Sequence, residues 1–153
     1  MTRGAEGVQI GPIVLYGLRT AADRSAERFT TKAGLGFPVK TGTEVAADTR
    51  VTLSVAVEDR GHLALLYGDF PAMTADGLYR MSNAAAAVRF EACPADEPRF
   101  SGPGVVGRRT KFNGGFAVSA PGCYELQVRV AGQERVLRRM VSFGAGAKCG
   151  ARR

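Results

Sequence analysis

Hydrophobic and polar residues alternate with a period of two along several short stretches of this chain. The clearest is VTLSVAV at residues 51–57, where every second residue is Val or Leu. Successive side chains of a strand point to opposite faces of a sheet, so this stretch predicts a strand with one buried face. The turn sequence Asp59-Arg60-Gly61 follows, and residues 62–67 are mostly hydrophobic. We therefore expect the two stretches to pair as a β-hairpin.

The second half of the chain repeats this pattern. It predicts four more strands, at residues 87–92, 112–118, 123–130 and 136–143. Arg138 and Arg139 are adjacent in the last of them, and burying an unpaired charge is costly. That strand is therefore expected to lie at a sheet edge or to contain a bulge. Gly114-Gly115 predicts a bulge or a close approach of two backbones.

The first half of the chain is less regular. Gly11-Pro12 interrupts a hydrophobic stretch from Val8 to Leu15, and proline cannot donate to a sheet, so an edge strand or a bulged strand is expected. Residues 20–32 are polar and predict a loop with a short helix. Residues 94–109 are rich in Pro and Gly and predict a long crossover connection.

These elements predict an all-β fold. Seven or eight short strands joined by hairpins and one long crossover are typical of a Greek-key β-sandwich, immunoglobulin-like or jelly-roll-like. A small β-barrel is the alternative. The length of 153 residues fits a single domain over residues 1–153, and 45% hydrophobic residues argue against disorder.

The three cysteines bear on both the fold and the compartment. One disulfide and one free thiol would suit an exported domain, whereas three unpaired thiols would suit a cytoplasmic protein. Cys93 and Cys123 occupy outward positions of their strands, so a bridge is expected to clamp an edge or a loop outside the core. We favour the pair Cys93–Cys123, with the two pairings of Cys149 as alternatives. No CxxC or CxxH spacing is present, so we expect no zinc site.

The net charge of +7 lies entirely in residues 89–153, because acidic and basic residues balance at nine each before residue 89. Arg99, Arg108, Arg109 and Lys111 cluster around the predicted crossover, with Phe100 and Phe112 nearby. Basic residues interleaved with aromatic ones can bind nucleic acid or another polyanion. A solvated basic loop is the alternative interpretation.

Candidate catalytic chemistry is sparse. His62 is the only histidine and has no Ser/His/Asp motif around it. Glu58 and Asp59 are neighbours, and we interpret them as a solvated acidic turn. The glycine pairs do not form a phosphate loop, and no cofactor is predicted.

The chain contains no stretch of about 20 apolar residues that could span a bilayer. Its N-terminal apolar run, residues 13–16, is too short for a signal peptide. These features fit either a cytoplasmic protein or an extracytoplasmic domain whose leader or anchor lies outside this sequence.

Four segments of the chain resemble small exported or membrane-anchored actinobacterial proteins of unknown function. They are GPIVLYGLR (11–19), VRFEACPADEPRF (88–100), TKFNGGFAVSAPGCYELQVRV (110–130) and RRMVSFGAGAKC (138–149). The resemblance covers about half of the chain. It implies an all-β ectodomain outside the cytoplasm, secreted or anchored at the cell surface. It implies no catalytic residue.

Three functional hypotheses follow. The first is an extracytoplasmic interaction or binding module of the cell envelope, with a protein or an anionic polymer as its partner. The second is a polyanion-binding protein, for a cell-wall polymer or nucleic acid, that uses the basic C-terminal half. The third is an enzyme whose chemistry the sequence does not reveal.

Overall fold

The computed structural model describes residues 7–95, 109–146 and 149–150. The strands within these residues are β1 (Val8–Ile10), β2 (Ile13–Tyr16), β3 (Leu35–Ala46), β4 (Arg50–Val55), β5 (Leu63–Tyr67), β6 (Tyr79–Arg80), β7 (Ala87–Glu91), β8 (Arg109–Val118), β9 (Gly122–Val130) and β10 (Val136–Phe143). Helix α1 spans Leu18–Asp23, and 3-10 turns span Ala26–Phe29, Val57–Asp59 and Met81–Asn83.

The strands form two antiparallel sheets that pack face to face as a β-sandwich. The first sheet has the order β1-β2-β3-β8-β5, with β6 paired to the start of β3, and the second has the order β10-β9-β4-β7. The chain changes sheet between β3 and β4, between β4 and β5, between β6 and β7, and on both sides of β8. No hydrogen-bonded strand pair joins the two sheets within the described residues, so the fold is a sandwich and not a small barrel.

The core lies between the sheets and follows the predicted alternation. Val51, Leu53 and Val55 of β4 are all buried. Phe116 of β8 and Phe29 of the first 3-10 turn both pack edge-on against Phe143 of β10. Edge-to-face contacts suit the charge distribution of aromatic rings, so these phenylalanines stabilise the core beyond the surface area that they bury.

The expected hairpin of residues 51–57 and 62–67 is wrong. β4 pairs with β7 and β9, whereas β5 pairs with β8 in the other sheet. Val57 does not continue β4 but lies in a 3-10 turn, with 72% of its surface exposed. The buried Asp59, described below, stabilises the corner at which the chain leaves β4.

The longest strand, β3, is one that the sequence pattern did not reveal. It lies in the middle of the first sheet and pairs with β8 over ten residues, from Phe37 to Ala46. Its inward positions include Val39, Thr41, Thr43 and Val45, all buried. Two of the four are threonines, which weakens the hydrophobic alternation although threonine is β-branched and favours strands.

Both edge-strand expectations are confirmed. β1 and β2 form a hairpin about Gly11-Pro12, and β1 is the outermost strand of the first sheet. β10 is the outermost strand of the second sheet, and both Arg138 and Arg139 reach solvent. The edge position therefore removes the need to bury either guanidinium.

The expectation for Gly114-Gly115 is also confirmed, as a close approach. A Cβ atom at Gly115 would collide with the backbone carbonyl of Val39 on the paired strand β3. A Cβ atom at Gly114 would collide with the ring of Tyr67, whose hydroxyl forms a 2.7 Å hydrogen bond with Thr43 Oγ1. Burial raises the pKa of Tyr67 to about 12.

The disulfide joins Cys123 to Cys149, and Cys93 is a half-buried free thiol. The favoured pair Cys93–Cys123 is therefore wrong. β4 lies between β7 and β9, and β7 runs parallel to β9, so the end of β7 and the start of β9 lie at opposite ends of the sheet. The expectation that the bridge clamps an edge rather than the core holds, because it fastens the chain beyond β10 to the start of β9.

We predict that Gly115→Ala lowers the free energy of unfolding by about 1–3 kcal/mol, because backbone must move to admit the methyl group. Gly61→Ala is the matched control, since Gly61 has open space around its Cα atom and a φ angle outside the left-handed region. Urea unfolding of both variants measures the difference. Equal stability of the two variants would contradict the close approach.

We predict one free thiol per chain in denaturant before reduction and three after it. Cys149→Ser opens a loop with a sequence separation of 26 residues and should lower the free energy of unfolding by about 3.5 kcal/mol, from the chain-entropy estimate. Cys93→Ser, which leaves the bridge intact, is the control. Three reactive thiols in the unreduced protein would contradict both the bridge and an oxidising compartment.

Candidate functional site

A buried carboxylate builds the corner where the chain leaves β4. Asp59 is only 4% exposed, and its Oδ2 accepts a 2.7 Å hydrogen bond from the backbone N–H of Glu125 on β9. The backbone carbonyl of Glu125 accepts a hydrogen bond from the N–H of Ala56 at 3.0 Å. The Asp59 side chain thus takes over from β4 as the partner of β9. The prediction of a solvated acidic turn is wrong for Asp59 and correct for Glu58, which is exposed.

Tyr124 closes the same corner from the other side. Its hydroxyl donates to the carbonyl of Ala120 at 2.5 Å, a tyrosine-to-upstream-backbone bond of the kind that secures corners in Greek-key sandwiches. Burial, and then the nearby negative charge of Asp59, raise the pKa of Tyr124 to about 12. The hydroxyl therefore stays protonated at physiological pH and keeps its donor role.

His62 lies at this corner, and its contacts are structural. Its Nδ1 is 3.1 Å from Ser119 Oγ, and its ring stacks on Tyr124 with centroids 6.2 Å apart. Ser119 Oγ is within hydrogen-bond distance of the carbonyl of Gly61, at 3.2 Å, as well as of the His62 ring. When the serine hydroxyl donates to that carbonyl, Ser119 accepts from a protonated Nδ1, and the three groups tie the turn at Gly61 to the end of β8.

The predicted anion-binding cluster is only partly described. Arg99 and Arg108 lie outside the described residues. Arg109 and Lys111 lie on the same outward face of β8, and Lys111, whose side chain is 83% exposed, has its Nζ 3.8 Å from Glu44 Oε1. Glu44 also accepts from Tyr16 at 3.2 Å. A carboxylate thus offsets part of the positive charge that the sequence predicted here.

A concave feature of the surface lies along β10, at the open edge between the two sheets. A cleft of about 730 Å³ is bounded by α1, the start of β1 and the outer edge of β10. A second depression of about 350 Å³ continues along the start of β10 beside the turn at Gly11. Arg138 and Arg139 line both, so we treat them as one feature, the β10 groove.

Arginines dominate the charged residues of the β10 groove. Arg19, Arg135, Arg138 and Arg139 line it, with Asp23 as the acidic lining residue. Arg138 donates to Glu125 Oε1 at 2.8 Å and is neutralised by it. Arg135 and Arg139 are both exposed, and neither forms an ion pair within the described part of the chain. The groove therefore has an excess of positive charge that could attract an anion.

The inner end of the groove is formed by Ser142 and Cys149. Ser142 is more than nine-tenths buried, and its Oγ has no hydrogen-bond partner among the described residues. Leaving a buried hydroxyl unsatisfied costs about 1–3 kcal/mol. Cys123 is the register partner of Ser142 on β9, so the bridge Cys123–Cys149 holds Cys149 at this end of the groove.

Sequence reasoning predicted a basic site in the C-terminal half, but at the crossover. It did not identify Arg135, and it noticed Arg138-Arg139 only as an edge signal. Two adjacent arginines in an expected edge strand, four residues after Arg135, were the available clue. Arg19 could not be predicted, because only the packing of α1 on β10 brings it there.

The described residues contain no cluster of three His, Cys, Asp or Glu side chains that could hold a metal ion. Among them there is also no helix with the length and apolar character of a membrane span.

Comparison of the chain with protein-family models, with curated proteins and with solved structures found no match in any of the three. The predicted relation to exported actinobacterial proteins therefore stays a prediction.

We predict that Asp59→Ala lowers the free energy of unfolding by about 2–3 kcal/mol, because the buried N–H of Glu125 loses a charged acceptor. Asp59→Asn should lose less, since an amide oxygen can still accept. Asp69→Ala, at an exposed position, is the control and should change stability by less than about 0.5 kcal/mol. Urea unfolding at pH 7 checks the order, and equal effects of the two alanine variants would refute the role of the Asp59 carboxylate.

Proposed function

We propose that this protein is an extracytoplasmic binding module that holds an anionic partner in the β10 groove. The observation that carries the proposal is the pair Arg135 and Arg139, two exposed guanidinium groups without carboxylate partners in the described chain, beside an open cleft. Guanidinium groups recognise carboxylates and phosphates through paired hydrogen bonds, so they are suited to hold an anion in a fixed orientation.

The extracytoplasmic part of the proposal is supported by the disulfide Cys123–Cys149. Disulfides persist in oxidising compartments and are rare in the cytosol. The resemblance to exported proteins points in the same direction. A binding role is favoured over catalysis because the only histidine is committed to a structural bond at the corner.

The site of the proposal differs from the one that the sequence predicted. The crossover residues Arg99 and Arg108 compete with the β10 groove as the location of anion binding, and substitution separates the two. Arg109 and Lys111 are a weaker choice, since Glu44 faces Lys111 on the neighbouring strand.

Binding of fluorescein-labelled poly-L-glutamate, followed by anisotropy at low salt, tests the proposal. We expect the double variant Arg135→Gln/Arg139→Gln to bind at least ten-fold more weakly than the native protein. Binding should also weaken as salt is added, because exposed charges are screened. Arg80→Gln/Arg89→Gln removes the same charge at exposed positions away from the groove and should bind within two-fold of the native protein.

Equal losses in the two double variants would show that only net charge matters and would contradict a groove site. A loss confined to Arg99→Gln/Arg108→Gln would move the site to the crossover. Absence of binding at low salt would end the proposal.

A further inference from the structure

We infer that the partner of the β10 groove is an extended acidic segment of another protein, which adds to the free edge of β10 as an extra strand. This inference rests on the proposed function and specifies the ligand. It concerns the main chain of β10, whereas the proposed function depends only on the arginine side chains.

The backbone of β10 has a row of groups available for such pairing. Glu125 of β9 directs its N–H and C=O to the β4 side, so the next residue, Leu126, directs its own groups toward β10, where it pairs with Arg139. The N–H and C=O of one strand residue point to the same side, and the side alternates along the strand. Met140, Arg138 and Val136 therefore direct their N–H and C=O groups away from β9.

α1 and β1 pack beside β10, but within the described chain neither forms a backbone hydrogen bond with these groups. β10 pairs only with β9, and the backbone bonds to α1 come from Gly144 and Gly146, beyond the end of the strand. The free edge from Val136 to Met140 is about 17 Å long at the rise of a β-strand. Five residues of an added strand would match it, which is an ordinary strand length.

The charges on this edge select the added strand. Arg135 and Arg139 would face their own copies or close neighbours in an antiparallel β10–β10 pair, so the edge repels a second copy of this chain. The same charges attract a strand with carboxylates. Charged residues protect sheet edges from indiscriminate pairing, and here they leave acidic strands as the acceptable partners.

Apolar surface beside the edge suits the other face of such a strand. Val8 and Met140 line the main cleft and Leu137 lines its continuation, and all three are only partly buried. A strand that alternates acidic and aliphatic residues would place carboxylates near Arg135 and Arg139 and aliphatic side chains in the cleft. The groove therefore has a period-two pattern complementary to that of an acidic strand.

The test uses a seven-residue peptide of alternating Glu and Val, with blocked ends and a fluorescent label. Two further versions are N-methylated, at the valines or at the glutamates. We expect one of them to bind at least ten-fold more weakly than the parent, because the amides that face β10 can no longer donate. Met140→Pro removes one outward N–H of β10 without touching the β9 ladder and should weaken the parent peptide to a similar extent. Its fold is checked by circular dichroism and by the melting temperature.

Amide hydrogen exchange provides a second measurement that does not depend on the proline variant. The bound parent peptide should slow exchange at Arg138 and Met140 at least ten-fold. The peptide could instead bind through the arginines alone. In that case amide exchange would not slow, and both methylated peptides would bind as tightly as the parent. This result would overturn strand addition while leaving the proposed function intact. No peptide binding, with poly-L-glutamate still bound through Arg135 and Arg139, would also overturn strand addition. A concentration-dependent dimer that Met140→Pro abolishes would assign the edge to a second copy and overturn the inference.

Discussion

Glu125 connects the two halves of this structure, and the hydrogen bond from its backbone N–H to the buried carboxylate of Asp59 is the constraint on which the rest depends. That bond lets the chain leave β4 without stranding an unpaired amide on β9. The chain can then turn through Val57–Asp59 and enter the opposite sheet as β5. Without this acceptor, the N–H of Glu125 would be buried beyond the end of β4 with no partner, because β4 stops at Val55.

The side chain of Glu125 forms hydrogen bonds on the outer face of the second sheet. Glu125 Oε1 accepts from Gln127 at 2.9 Å and from Arg138 at 2.8 Å. Because Glu125 is nearly buried, its charge requires these donors. One residue thus joins the corner at Asp59 to the groove at β10, and it decides which arginine of the groove is neutralised.

The sequence predicted the second half of the chain well because strands such as β9 alternate strictly and pack one face into the core. It failed where the decisive contact is distant in sequence or polar. Asp59 could not be distinguished from its exposed neighbour Glu58, since only the approach of β9 buries one of them. The sequence pattern did not predict β3, because its inward residues Thr41 and Thr43 have the polarity of surface residues. The adjacency of Arg138 and Arg139 correctly indicated an edge, yet the groove also needs α1, β1 and Cys149, which only the tertiary fold brings to β10.

The division of roles among the arginines follows from their register. Arg138 points to the outer face of the sheet, where Glu125 on β9 meets it, so its contribution is to hold the strand in place. Arg139 has the parity of the core face, but β10 is the last strand and its guanidinium reaches solvent between the sheets. Arg135 lies four residues earlier, about 13 Å away along an extended chain, and so has the same parity. Within the described residues, one arginine of this edge is thus neutralised and the other two have no ion-pair partner. A spacing of about 13 Å between their Cα atoms suits an extended anionic chain better than one compact ion, and an extended chain is the partner proposed for the groove.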